Sequence, residues 1–232
     1  MKIKGIQELT LIDYPDKIAC TIFLYGCNFR CGFCHNPELV VSENIEDISE
    51  NEILEFLEKR KGNLEGVCIT GGEPLINLDK DFLRKIKDLG YLIKIDTNGS
   101  FPERLKEFIE EDLVDFVAMD IKSSKEKYLE VVNSNVDLRK IEESIKLISG
   151  LEDYEFRTTI VEDLHPIEEV KKIGKWLNAL IGKPKKFVLQ GFKNKGKFID
   201  EKYNSERDVG ENYLNSLMKE IENFFEKVEI RV

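Results

Sequence analysis

The 232 residues predict one α/β domain built on a mostly parallel sheet. Three observations lead there. Strand-like and helix-like stretches alternate six times, no composition break or linker interrupts them, and the segments that look chemical each follow directly on a strand. In a parallel sheet or barrel such strand ends share one face, which is where ligands bind.

Taken in order, Ile3 to Ile12 alternates as a strand does, Asp13-Tyr14-Pro15-Asp16 is a turn, and Lys17 to Tyr25 is an apolar strand entering a cysteine-rich loop. The loop and its continuation last until Ser49, which forms a capping box with Glu52. The helix behind that box carries Ile53, Leu54, Phe56 and Leu57 and stops at Gly62. Val67 to Thr70 is a short buried strand ending at Gly71-Gly72-Glu73-Pro74. Asp79 to Leu89 is a helix with Phe82, Leu83 and Ile86 inward and Gly90 as its stop. Tyr91 to Ile95 is a strand ending at Asp96-Thr97-Asn98-Gly99, and Ser100 with Glu103 opens a helix holding Pro102 in its first turn. Val114 to Ile121 is a strand closing on Asp120-Ile121-Lys122, followed by two helical stretches, the second running from Asp137 to Gly150. Then come a strand (Tyr154 to Val161), a helix (Ile167 to Leu180), a strand (Lys186 to Gln190) and a long helix (Asp208 to Phe225). Val228 to Val232 offers one edge strand.

Hydrophobic residues make up 41% and charged residues 34%, enough for a buried core under a charged surface. A net charge of −10 argues against nucleic acid as a partner. Lys183, Lys185, Lys186, Lys193, Lys195 and Lys197 are a local exception, either a solvated loop or a docking patch for an acidic protein. Met1 to Glu8 shows no apolar signal region, and the apolar run from Ile18 to Tyr25 is too short to span a bilayer. Five cysteines, three of them clustered, fit a reducing compartment, so a cytoplasmic protein without a membrane partner is expected.

The cluster is Cys27-x3-Cys31-x2-Cys34, three thiols within eight residues. So short a loop can fold three sulfurs around one inorganic core but supplies no fourth. That favours an iron–sulfur cluster with one iron open to a non-protein ligand. A closed zinc site, with His35 as fourth ligand, is the alternative. Gly71-Gly72-Glu73-Pro74 alone would be an ordinary turn; one strand after the cysteine loop, its backbone is placed to approach a ligand. Cys20 and Cys68 read as buried packing residues, Trp176 as helix packing, and His165 before Pro166 as a helix cap. Arg157 is open between a structural ion pair and a contact to a ligand carboxylate.

The cysteine spacing with Phe33, followed by Gly71-Gly72-Glu73-Pro74, resembles the radical S-adenosylmethionine (SAM) superfamily. Leu11-Ile12-Asp13-Tyr14-Pro15, Cys34-His35-Asn36-Pro37, Asp96-Thr97-Asn98-Gly99 and Asp120-Ile121-Lys122 resemble the activating enzymes of glycyl-radical proteins, most closely the activase of anaerobic ribonucleoside-triphosphate reductase. The resemblance implies a partial (β/α)6 TIM-like barrel with an N-terminal strand extension, a single domain over residues 1–232 with its core at about 17–226. It implies a 4Fe–4S cluster on Cys27, Cys31 and Cys34, and SAM chelating the open iron. Gly71, Gly72 and Glu73 would lie against the methionine ammonium and Phe33 near the adenine. Asp96, Thr97, Asn98, Asp120 and Lys122 would complete the cofactor contacts. In related activases the aspartates matching Asp96 and Asp120 also hold a monovalent cation. The implied reaction begins with an electron from flavodoxin or ferredoxin, which cleaves SAM to a 5′-deoxyadenosyl radical. That radical takes hydrogen from a partner's glycine. Gln190-Gly191-Phe192-Lys193 stands where some activases carry a histidine, so that role does not transfer. Two rivals remain: a radical SAM enzyme of a small molecule, like 7-carboxy-7-deazaguanine synthase, and a non-catalytic zinc or electron-transfer module.

Overall fold

The computed structural model describes residues 1–41 and 46–232; the stretch 42–45 of the loop's continuation lies outside the described residues. The fold class is α/β, and the chain forms two compact units. The first comprises Met1–Asn28, Asn36–Thr97 and Glu103–Val117, the second Phe29–His35, Asn98–Pro102 and Ala118–Val232.

In the first unit, β1 (Ile3–Thr10), β2 (Ala19–Leu24), β3 (Gly66–Gly71) and β4 (Leu92–Thr97) lie side by side in chain order. β1 pairs antiparallel with β2, while β2, β3 and β4 pair in parallel, placing Ile22 opposite Ile69 and Ile69 opposite Ile95. Those isoleucines are fully buried, as near-continuous apolar strands require when both faces are covered. The short helix α1 (Glu38–Val41), not foreseen from the sequence, follows the cysteine loop; α2 (Glu50–Arg60), α3 (Lys80–Asp88) and α4 (Pro102–Glu110) follow in turn. The expected capping box starts α2: the Glu52 amide donates to Ser49 Oγ at 3.2 Å and the Ser49 amide to Glu52 Oε2 at 2.8 Å. The predicted inward residues of α3 all have zero exposure. Tyr14, in the turn before β2, folds under the sheet: a Cβ on Gly66 would stand 2.8 Å from its ring, and Phe116 packs at 5.9 Å.

β5 (Phe116–Asp120) carries the chain from the first unit into the second. There α5 (Tyr128–Val132) and α6 (Leu138–Ser149) precede β6 (Tyr154–Ile160), then α7 (Ile167–Ile181), β7 (Lys186–Gly191), α8 (Glu211–Ile221) and β8 (Lys227–Arg231). β6, β7 and β8 pair in parallel, with Phe156 opposite Phe187 and Phe187 opposite Val228. The edge strand expected at the C-terminus is therefore real. The last helix, expected over Asp208 to Phe225, is shorter, Glu211–Ile221, with Glu222–Phe224 a 3-10 turn. Asp208 explains the late start: its carboxylate accepts the Asn194 amide at 2.8 Å, closing a loop instead of beginning a helix.

The lysine run is a correction. Lys186 lies at the start of β7, 2.8 Å from Glu229, and Lys185 bonds the carbonyls of Leu151 and Glu152. Lys193, Lys195 and Lys197 follow the opposite end of the strand. Six residues of β7, roughly 20 Å, separate the groups, so they are not one patch. Among the described residues no helix is long and apolar enough to cross a membrane.

Candidate functional site

The expected site residues fall into two sets, one in each unit. In the first unit, Cys27, Gly71, Gly72, Glu73, Asp96 and Thr97 gather at the carboxyl ends of β2, β3 and β4. Both glycines are demanded by the fold itself. Gly71 has φ +120°, and a Cβ there would strike the Leu24 backbone; a Cβ on Gly72 would strike the Gly26 carbonyl. Without those side chains the Gly72 amide donates to Leu24 O at 2.9 Å and the Glu73 amide to Gly26 O at 2.7 Å. The double glycine thus brings the end of β3 against the residues that launch Cys27. The close approach seen here is to the protein's own chain.

Glu73 is 1% exposed, and its Oε1 accepts from the Leu75 amide at 3.1 Å and the Thr97 hydroxyl at 2.8 Å. Glu73 and Thr97 therefore fix this turn to the end of β4. Asp96 pairs with Lys94, two residues earlier on the same face of β4. Lys94 is 1% exposed, with its ammonium 3.7 Å from Cys68 Sγ. Sequence reading missed Lys94; a lysine amid Leu92, Ile93 and Ile95 was its signal.

In the second unit lie Cys31, Phe33, Cys34, Asn98, Asp120 and Lys122. Contacts at Arg30, Gly32, Phe33 and His35 hold the loop Phe29–His35. The Arg30 amide donates to Val132 O at 2.9 Å, and Gly32 O accepts the Asp200 amide at 3.0 Å. Gly32 must be glycine, because its Cβ would lie 2.7 Å from the Tyr203 ring and 3.0 Å from Asp200 Cβ. Phe33 meets Tyr203 and His165 edge-on at 5.9 and 6.4 Å. His35 Nε2 donates to Lys193 O at 3.0 Å, its ring packed between Phe192 and Phe198. Sequence reading saw lysines in the segment after β7 and overlooked Phe192, Phe198 and Tyr203, whose spacing places aromatic rings against the loop.

Asp120 accepts from Arg157 Nε at 2.9 Å and lies 3.2 Å from Lys122 Nζ. Burial alone would raise its carboxyl; the charges of Arg157 and Lys122 override that and hold it well below the usual carboxylate range. Arg157 forms an ion pair with Asp120. Asn98 uses Oδ1 to accept the Ser100 amide at 2.9 Å, shaping the turn into α4. His165 is not a helix cap: α7 begins at Ile167, and its N-cap residue is Pro166, with no side-chain cap. It is fully buried, its Nε2 donating to Lys122 O at 2.9 Å and its Nδ1 accepting the Val161 amide at 3.0 Å, so it fixes the backbone beside Asp120.

The donor set fits a cluster. None of the five cysteines is in a disulfide, and Cys20 and Cys68 are fully buried. Burial, partly offset by Lys122, pushes the Cys31 thiol up to about 11. Among the described residues no three His, Cys, Asp or Glu side chains converge as one mononuclear ion would need. A four-iron cluster asks for something else, since each cysteine binds a different iron. Beside the loop a cleft of about 620 Å³ opens, lined in part by Arg30, Gly32, Asn133, Asp200 and Tyr203.

The radical SAM superfamily model matches residues 21–179. A Methanocaldococcus jannaschii protein named as a glycyl-radical enzyme activating enzyme is 33% identical over 99% of this chain and 95% of its own length. A Listeria monocytogenes pyruvate formate-lyase-activating enzyme is 29% identical over 58% of each chain. Among solved structures, Streptococcus suis SuiB bound to its precursor peptide SuiA shares the fold, with a TM-score of 0.67 at 14% identity, covering 90% of this chain and 47% of that one.

Two outcomes are expected. Gly72→Ala forces β3 away from Gly26 and should cost about 1–3 kcal/mol in urea unfolding, with reduced iron incorporation; unchanged values would contradict the assigned contact. Burial lowers the His165 imidazole below its ordinary 6.5, so on acidification the unfolded chain takes up a proton first. Stability from this group is complete above about pH 6.5 and lost below it. His165→Phe should flatten the fall in stability of the metal-free protein between about pH 7 and 5, and an unchanged slope would refute the assignment.

Proposed function

Because this chain belongs to the radical SAM superfamily, we propose that it is the activating enzyme of a glycyl-radical protein, with the anaerobic ribonucleoside-triphosphate reductase as its substrate. The observation that carries the reading is a loop of three cysteines, none in a disulfide, whose backbone is tied down by the protein's own hydrogen bonds. The naming of the relatives as activating enzymes supports the substrate class. We take the catalytic domain to extend beyond the matched residues, to about 17–226.

When bound, a 4Fe–4S cluster and SAM supply one chemistry: reductive cleavage of the sulfonium to a hydrogen-abstracting radical. The protein's residues do the rest. Cys27, Cys31 and Cys34 hold the cluster. The backbone of Gly71 to Glu73 faces the methionine ammonium, and Thr97 and Asn98 shape the turn beside it. Phe33, held edge-on by Tyr203 and His165, lies against the adenine. Lys122 and Arg157, drawn together by Asp120, offer positive charge to the methionine carboxylate. The cleft beside the loop has room for a partner's backbone segment, and its mixed donors and acceptors suit a main chain. Flavodoxin or ferredoxin supplies the electron. Five cysteines, none in a disulfide, fit a reducing, cytoplasmic setting.

The test is anaerobic reconstitution with iron and sulfide, then incubation with SAM, dithionite and the reductase. A glycyl doublet in electron paramagnetic resonance is expected, and Cys31→Ala should abolish both the doublet and 5′-deoxyadenosine. 5′-Deoxyadenosine without a protein radical would favour a small-molecule substrate. Zinc without iron in the anaerobically purified protein would overturn the reading.

A further inference from the structure

Two carboxylates of this chain already have cations supplied by the chain itself. Asp96 is met by Lys94 from the same strand face. Lys94 is 1% exposed, its ammonium near Cys68 Sγ and 5.9 Å from the Phe116 ring centroid. A lysine is almost never so deeply buried unless paired, so carboxylate and ammonium fix one another. Asp120 is met by Arg157 at 2.9 Å and Lys122 at 3.2 Å. Two cations against one carboxylate leave these three groups with a net positive charge, which suits an anion and repels another cation.

A potassium or sodium ion at either aspartate would have to displace an ammonium or guanidinium that is tethered to the same fold and cannot diffuse away. The residues present therefore do not fit the monovalent cation that the likeness to glycyl-radical activases leads one to expect. We propose that Lys94 at Asp96, and Lys122 with Arg157 at Asp120, replace that ion, so that SAM binding and cleavage in this protein need no monovalent metal cation. The proposal rests on the SAM-dependent reading above.

The test uses the reconstituted protein in potassium, sodium or tetramethylammonium salts of equal ionic strength, reading SAM affinity and 5′-deoxyadenosine formation with dithionite. Both are expected to agree within about twofold across the three salts. A loss of about tenfold or more in tetramethylammonium would overturn the proposal while leaving the SAM-dependent reading intact. No SAM binding in any salt would instead overturn that reading, and the proposal with it. Lys94→Thr opens a space beside Asp96 and should create the missing dependence. Its metal-free melting temperature should rise with potassium and not with tetramethylammonium, while the wild type responds equally to both. A variant as indifferent as the wild type would count against Lys94 as the ion's replacement. If the variant does not fold, the wild-type salt series decides the question.

Discussion

The amides of Gly72 and Glu73 reach the carbonyls of Leu24 and Gly26 only because two successive residues lack a Cβ. That contact ties the strand carrying the glycine turn to the strand that delivers Cys27. Without it, the residues before the first cysteine would end in open chain, and each metal-binding geometry would cost conformational entropy on assembly. The second unit applies the same device by other means. Gly32 makes room for Tyr203 and Asp200, and the bonds at Arg30, Gly32 and His35 fasten the loop on either side of Cys31 and Cys34. The protein fixes the backbone between the thiols with hydrogen bonds of its own, and none of the three cysteines is in a disulfide.

Charge follows the same division of labour. Buried ionic groups are tolerable only when paired: Lys94 with Asp96 on one strand, Asp120 with Arg157 on the next, and Glu155 with Arg231 at 2.6 Å across the intervening β7. Strand spacing makes the first pair almost automatic, since residues two apart face the same way. His165 adds a neutral hydrogen-bonding post beside Lys122, a role an imidazole fills only while deprotonated.

Much of this was legible in the sequence. Apolar alternation located every strand to within a few residues, and Ser49, Asp79, Asp137 and Gly62 marked helix ends because each acts through its neighbours in the chain. The cysteine spacing and the double glycine named the chemistry for the same reason. What escaped depends on partners distant in sequence. Tyr203 matters because it packs on Gly32 and Phe33, some 170 residues earlier, and nothing in Glu201 to Ser205 announces that. His165 looked like a cap because Pro166 follows it, yet its ring turns inward to Lys122. The lysines near β7 looked like one patch because sequence distance hides the length of an extended strand.

The central claim is that the fold shapes the cysteine loop before any metal arrives. Amide hydrogen exchange on the metal-free protein tests it most directly, read at Gly72, Glu73, Arg30 and Asp200. The account predicts that these amides exchange at least about a hundredfold more slowly than in an unstructured chain, as bonded native amides do. Exchange at the unstructured rate, with protection appearing only after iron and sulfide are added, would show that the cluster folds the loop and would contradict it.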